Sequence, residues 1–135
     1  MSKLSSFDFR GSEFLVRFVE QMQVKEGVDC DVYAFAGDDM RDLAIVMVKK
    51  GFKTPLQKVV EGTETIEGFM SGKGTLRIGL PDGQIISYVF PNKNAHNEVI
   101  IAIGQTMQWQ AAEDLTFYEI CSPPYKDGRF IVIPD

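Results

Sequence analysis

Three carboxylates at a spacing of three, Glu61, Glu64 and Glu67, suggest chemistry most directly in this chain. A pair of converging carboxylates supplies the acid and the base of glycoside hydrolysis. Along a strand, however, residues three apart point to opposite faces, so Glu61 and Glu64 do not converge unless a bulge intervenes. Solvent-exposed carboxylates are therefore the simpler interpretation.

The second candidate base is His96, the only histidine of the chain. It lies in a polar stretch, 92–97, that is typical of a loop, and the nearest acid in sequence is Glu98. Folding can also bring Glu61, Glu64 or Asp114 close to it. A solvated loop histidine is the simpler interpretation, and an acid–histidine base pair is the alternative.

The composition is that of a soluble globular protein, with 135 residues, 44% of them hydrophobic and 24% charged, which is enough for one domain, 1–135, with its own core. The net charge of −5 and the dispersed Lys and Arg residues argue against a nucleic-acid partner. No apolar leader and no run of about 20 apolar residues is present, so we expect no membrane partner and a cytoplasmic location. Cys30 and Cys121 form no metal-binding motif and are interpreted as buried, reduced thiols.

The first element that can position these residues is an amphipathic segment at about 12–23. Ser12 can cap a helix there and Gly27 can stop it. Its apolar residues recur at helical spacing: Phe14, Leu15, Phe18, Val19 and Met22. The pattern predicts one N-terminal amphipathic helix that packs on a sheet or on a partner subunit.

From residue 28 onward the pattern is that of short strands rich in Val, Ile, Phe and Tyr, separated by turn residues such as those at 71–74 and 80–83. The predicted strands are Val28–Ala36, Asp42–Val48, Leu56–Val60, Thr65–Met70, Thr75–Gly79, Gln84–Phe90, Glu98–Ile103, Met107–Ala111, Leu115–Ile120 and Arg129–Ile133. Many short strands after one helix indicate a mainly β sandwich or barrel.

Two segments resemble the paired motifs of the cupin family. In the first, Gly51 is followed after five residues by Gln57 and Val59, and then by Glu64 and Gly72, where the family has glycine, two histidines, glutamate and glycine. In the second, 102–107, the family's closing histidine is replaced by a methionine. The resemblance covers about 43–125 and implies a double-stranded β-helix, the jelly-roll barrel of small single-domain cupins, over about 28–134.

The resemblance also implies a metal site, but its three histidine positions hold Gln57, Val59 and Met107. An aliphatic side chain and a thioether do not suit a borderline divalent ion, so we expect no metal and no cofactor. Metal-free epimerases of similar fold use a His–Asp pair as base. A metal-independent isomerase, epimerase or lyase that uses Glu64 or His96 as its catalytic base is therefore one alternative function.

If Met107 keeps the inward direction of the histidine it replaces, strand alternation points Trp109 inward as well. The predicted ligand-binding residues are Gln57, Glu64, Tyr88, Met107 and Trp109. We expect a small organic ligand, such as a sugar or a carboxylate metabolite, stacked on the indole. The other alternative is a barrel filled by Met107 and Trp109 in a non-catalytic structural or interaction module.

The predicted strand at Asp42–Val48 is apolar on both faces, which bears on assembly. A small barrel has one interior, so the second face needs cover from the helix or from a second subunit. Since small cupins commonly pair, the sequence predicts a homodimer.

Overall fold

A computed structural model of the chain describes residues 3–62, 64–92, 97–124 and 130–134. The described residues form strands and no helix, and therefore include no helix that is long and apolar enough to cross a membrane. The strands are β1 (Ser6–Phe9), β2 (Ser12–Lys25), β3 (Val28–Phe35), β4 (Asp38–Val48), β5 (Leu56–Val59), β6 (Glu64–Ser71), β7 (Gly74–Gly79), β8 (Ile85–Phe90), β9 (Glu98–Ile101), β10 (Thr106–Ala111), β11 (Leu115–Ser122) and β12 (Phe130–Ile133).

These strands build two antiparallel sheets. The larger sheet has the order β1-β2-β3-β4-β11-β6-β9, and the smaller has the order β12-β5-β10-β7-β8. Their facing sides enclose one hydrophobic core, to which both sheets contribute alternate residues. The mainly β architecture predicted from the strand pattern is confirmed. The strands β3 to β12 lie within a few residues of the ten predicted ones, whereas β1 was not predicted.

A column of aromatic rings bridges the two sheets inside the barrel. Trp109 of β10 stacks on Phe117 of β11, with ring centroids 4.5 Å apart. Its other neighbour is Phe90, at 5.6 Å, which in turn stacks on Phe69 at 5.2 Å. The smaller sheet is thereby fixed against the larger one close to the centre of the barrel.

The outer face of the larger sheet carries a second core, covered by the β1–β2 hairpin. Phe7 and Phe9 of β1 pack edge-on against Tyr118 of β11, at 5.1 and 6.1 Å. At the hairpin tip Arg10 adopts a φ of 51°, and its Nη2 donates a hydrogen bond of 2.6 Å to Glu98 of β9. This contact ties the hairpin to the far edge of the sheet that it crosses.

The predicted N-terminal helix is wrong, because 12–25 forms the long strand β2. A register shift after Phe18 inserts one residue into this strand and switches its inward face. Phe14 and Phe18 consequently pack in the outer core, Met22 packs in the barrel core, and Leu15 stays 65% exposed. A strand that contributes side chains to one core before a bulge and to another core after it thus has apolar residues at a spacing of four. This spacing resembles that of a helix.

The strand β4 is apolar on both faces as expected, but its second face is covered within the chain. Val46 and Val48 face the barrel core, while Leu43 and Ile45 face the outer core beneath the β1–β2 hairpin. A partner subunit is not required for that burial. The homodimer stays a prediction, and it no longer has this face as its support.

Candidate functional site

A cavity of about 440 Å³ lies between the two sheets, next to the aromatic column. Its volume falls within the range of about 300–1,000 Å³ that is usual for small-molecule sites. Met107, Trp109 and Phe117 form part of its apolar wall, and the exposed residues Arg17 and Asp39 mark its mouth. The barrel is therefore not filled by its own side chains.

Two buried carboxylates, Glu67 and Glu119, point into this cavity from neighbouring strands. They are 1% and 8% exposed, and they stand directly opposite one another in the register of β6 and β11. Residues directly opposite in an antiparallel pair have Cβ atoms about 5 Å apart on the same face of the sheet. Two like charges at such positions repel each other, so their burial side by side is a costly arrangement that points to a function.

The orientation of Glu67 is fixed by the indole of Trp109. The Nε1 of Trp109 donates a hydrogen bond of 2.8 Å to Oε1 of Glu67, across the interior from one sheet to the other. Trp109 itself is held because its backbone N–H donates to Oγ1 of Thr54 at 2.9 Å. This carboxylate is consequently preorganised at the cavity wall.

Glu119 is held much less firmly. Among the described residues, its only hydrogen bond comes from the thiol of Cys121, which reaches Oε1 at 3.3 Å. A thiol is a weak donor. The carboxylate of Glu119 thus has the weaker donor of the two, and a stronger donor from a ligand could take its place.

Cys30 also lines the cavity, but its environment makes it a poor nucleophile. Burial, with a further contribution from the charge of Glu119, raises the pKa of the Cys30 thiol to about 12. The reactive form of cysteine is the thiolate, which is scarce at neutral pH when the pKa is so high. Covalent chemistry at Cys30 is not favoured.

Gln57, Met107 and Trp109 are brought together as the sequence predicts. Gln57 of β5 stands opposite Met107 of β10, and all three residues line the cavity. Trp109 is nonetheless 1% exposed, so a ligand would meet the edge of its indole, since the faces are occupied by Phe90 and Phe117.

Glu64 and Tyr88 do not line this cavity, and their role in ligand binding stays a prediction. The alternation of β6 turns Thr65 and Glu67 inward and leaves Glu64 on the outer side with Ile66, where its charge acts on Arg10. Tyr88 lies on the edge strand β8 and lines a separate surface hollow beside Glu98 and Tyr118. His96 lies outside the described residues.

The carboxylates that do line the cavity were missed in the sequence. For Glu67 a signal was available: the spacing to Gly72 is one residue longer than in the family pattern, which moves the inward position from Glu64 to Thr65 and, one step further along, to Glu67. For Glu119 no local signal exists. Its partner strand is set by long-range pairing.

Comparison with known proteins places this fold. No protein-family model matches the sequence, and no curated protein matches it significantly. Among solved structures, CapF with the inhibitor 3-isopropenyl-tropolone matches 88% of the chain at a TM-score of 0.66 and 14% identity. Oxalate decarboxylase from Bacillus subtilis matches 82% at a TM-score of 0.64 and 16% identity. Both are cupin proteins.

The chain has the cupin fold. It spans only 34% and 29% of the length of those two chains, so their activities do not transfer with the fold. The predicted resemblance is confirmed at the level of architecture.

The residues at the cupin metal positions do not fit a divalent metal ion. Val59 is 1% exposed in the barrel core and has no donor atom, and Met107 offers only a thioether. Glu64, at the family's glutamate position, lies on the outer side of β6, and the inward residue beside it is Thr65, which has no carboxylate. Among the described residues, no group of three or more His, Cys, Asp or Glu side chains is arranged to hold a metal.

Raising the pH from 8 to 10 is expected to lower the free energy of unfolding through Cys30. The unfolded thiol, with its ordinary pKa of 9.0, loses its proton over this interval, whereas the folded thiol, with a pKa of about 12, keeps it. The unfolded state is thereby favoured by on the order of 1 kcal/mol. Urea denaturation at the two pH values measures the change.

The Cys30→Ala variant is the control for this prediction. It should lose part of the pH dependence, and the remainder should grow above pH 10, since burial and the neighbouring Glu98 also raise the pKa of Tyr118. A variant whose stability falls with pH as steeply as that of the natural protein would remove Cys30 as the cause.

Proposed function

We propose that this chain binds a small organic ligand in the barrel cavity through side chains alone. The observation that carries the proposal is the pair of buried carboxylates, Glu67 and Glu119, that faces a cavity of about 440 Å³. Side-by-side buried carboxylates destabilise a sheet unless something in the site interacts with them. Apolar walls with a few convergent polar groups are typical of small-molecule sites.

The two cupins of similar structure do not supply the ligand. One of them acts on oxalate according to its name. A dicarboxylate in this cavity would lie beside Glu67 and Glu119, and like charges at close range cost several kcal/mol, on the order of the coupling seen at protein interfaces. A carboxylate metabolite is therefore the less favoured of the two ligand classes that the sequence suggests.

A library of small fragments tests the proposal, with fluorescence of Trp109, the only tryptophan, as the signal. We expect some fragments to change the emission and to raise the melting temperature. Ala44 lines the cavity beside Glu119, so Ala44→Met should fill the space and abolish these effects. Ala112→Met, the same change at an exposed position, should leave them intact. Fragment binding that survives Ala44→Met would place the ligand elsewhere.

A metal-independent isomerase or lyase is the second candidate. Two carboxylates in one cavity, with Glu67 held by an indole and Glu119 by a thiol, occupy unequal environments, and unequal environments allow one carboxyl to act as acid and the other as base. Glu64 cannot serve as this base because it lies on the outer side of β6. Any such activity would depend on Glu67 and Glu119 instead.

A further inference from the structure

We infer that the ligand of this cavity is an organic cation, a small amine with an apolar body. The inference rests on the proposed ligand-binding function and names the class of ligand. It is carried by the charge of the lining residues, by the weak hydrogen bonding of Glu119 and by the apolar surface around both.

The described lining residues are strongly acidic. They include six acids and two arginines, and Glu20 and Asp42 extend the acidic character from the inner pair toward the mouth. Arg41 forms a salt bridge of 2.9 Å with Asp38, itself one of the six acids, so these two charges offset each other. Among the described lining residues, five acids and Arg17, which is exposed at the mouth, then remain.

Glu119 is the group that a cation would satisfy. It is 8% exposed, it faces the cavity, and the thiol of Cys121 is its only hydrogen-bond donor among the described residues. A buried carboxylate is costly unless it is paired or well hydrogen-bonded. An ammonium group offers three donors and a positive charge. Placed between Glu119 and Glu67, it would also relieve the repulsion between them.

The remainder of the cavity suits an apolar body. Met22, Val46, Met107 and Phe117 line it, and all four belong to or pack against the barrel core. A ligand whose charge lies at one end and whose hydrocarbon lies at the other would match both parts. A neutral sugar would satisfy Glu119 less well, and a carboxylate would add a third negative charge.

Two series of size-matched compounds test the inference: benzylamine, benzyl alcohol and benzoate, and hexylamine, hexanol and hexanoate. Affinity is measured by titration of Trp109 fluorescence. We expect the amine of each series to bind at least about tenfold more tightly than the alcohol, and the carboxylate to bind most weakly. The Glu119→Gln variant should lose at least about tenfold in amine affinity and keep its affinity for the alcohols.

The matched control is Glu113→Gln, which removes the same charge from an exposed residue paired with Lys73 and should leave amine affinity unchanged. If Glu119→Gln does not fold, Asp42→Asn takes its place: it removes a negative charge near the mouth and should also weaken amine binding. Equal binding of amines and alcohols, or amine binding that tolerates the loss of Glu119, would overturn the cation while leaving the proposed function in place. Binding of no member of either series and no library fragment would overturn both.

Discussion

Replacing Gly72 by alanine is expected to lower the free energy of unfolding by about 3 kcal/mol or more, enough to unfold a marginally stable domain. Gly72 follows β6 and has a φ of 93°, a conformation that side chains rarely adopt. A Cβ atom at this position would also overlap the backbone carbonyl oxygen of Asp114, which cannot rotate away as a side chain can. The backbone strain and the overlap with Asp114 both lower the stability of the variant.

Gly83→Ala is the matched control. Gly83 has a φ of 92°, almost the same as that of Gly72, but a Cβ atom there would meet nothing within 4 Å. This variant should lose only about 1–2 kcal/mol of unfolding free energy, which is the cost of a positive φ for a residue with a side chain. Urea denaturation of both variants, followed by circular dichroism, measures the difference. Equal losses would show that the contact with Asp114 has no energetic weight.

The close approach of Gly72 to Asp114 matters for the site because it lies where the turn after β6 meets the turn before β11, and these two turns align β6 with β11. The backbone N–H of Ala112 donates a hydrogen bond of 2.9 Å to the carbonyl oxygen of Lys73, in the turn that follows Gly72. The pairing that starts beside these turns passes a register shift between Thr116 and Phe117 and then sets Glu67 opposite Glu119. A glycine that is distant from the cavity thus supports the register of its two carboxylates.

The strands could be predicted from the sequence because period-two alternation and glycine turns are local signals. The helix predicted at 12–23 is wrong because of a bulge. A bulge is a local feature of a strand, but it can be recognised only from the pairing in the sheet. The bulge after Phe18 transfers Met22 from the outer face to the barrel interior, and the position of a bulge depends on pairing with β3. Apolar spacing alone cannot separate this arrangement from a helix.

The residues of the site divide in the same way, into those that local signals predict and those that depend on strand pairing. Trp109 and Met107 lie on one strand, so the direction of one fixes the direction of the other. Glu64 does not line the cavity because an offset of one residue turns a strand side chain to the opposite face. Glu119 belongs to a strand whose neighbours, β4 and β6, come much earlier in the chain, and only the folded pairing reveals that it faces Glu67.

Replacing Trp109 by phenylalanine is expected to cost about 3 kcal/mol of unfolding free energy. The substitution removes the N–H that donates to Glu67 at 2.8 Å, and a hydrogen bond to a charged group contributes about 1.5–3 kcal/mol. It also leaves a smaller ring between Phe90 and Phe117, which adds a cavity term of about 1 kcal/mol. Because the only tryptophan is lost, the measurement uses circular dichroism in urea.

A double-mutant cycle with Glu67→Gln separates the two contributions. If the hydrogen bond contributes more than the packing, Trp109→Phe should cost at least about 1 kcal/mol less in the Glu67→Gln background. The reason is that a hydrogen bond to a neutral amide stabilises the fold less than one to a carboxylate, so its removal costs less. In the background of Glu113→Gln, which is exposed and distant, the cost should be unchanged to within about 0.5 kcal/mol. Additivity in both backgrounds would mean that Trp109 acts only by packing, and that Glu67 is held at the cavity wall by other contacts.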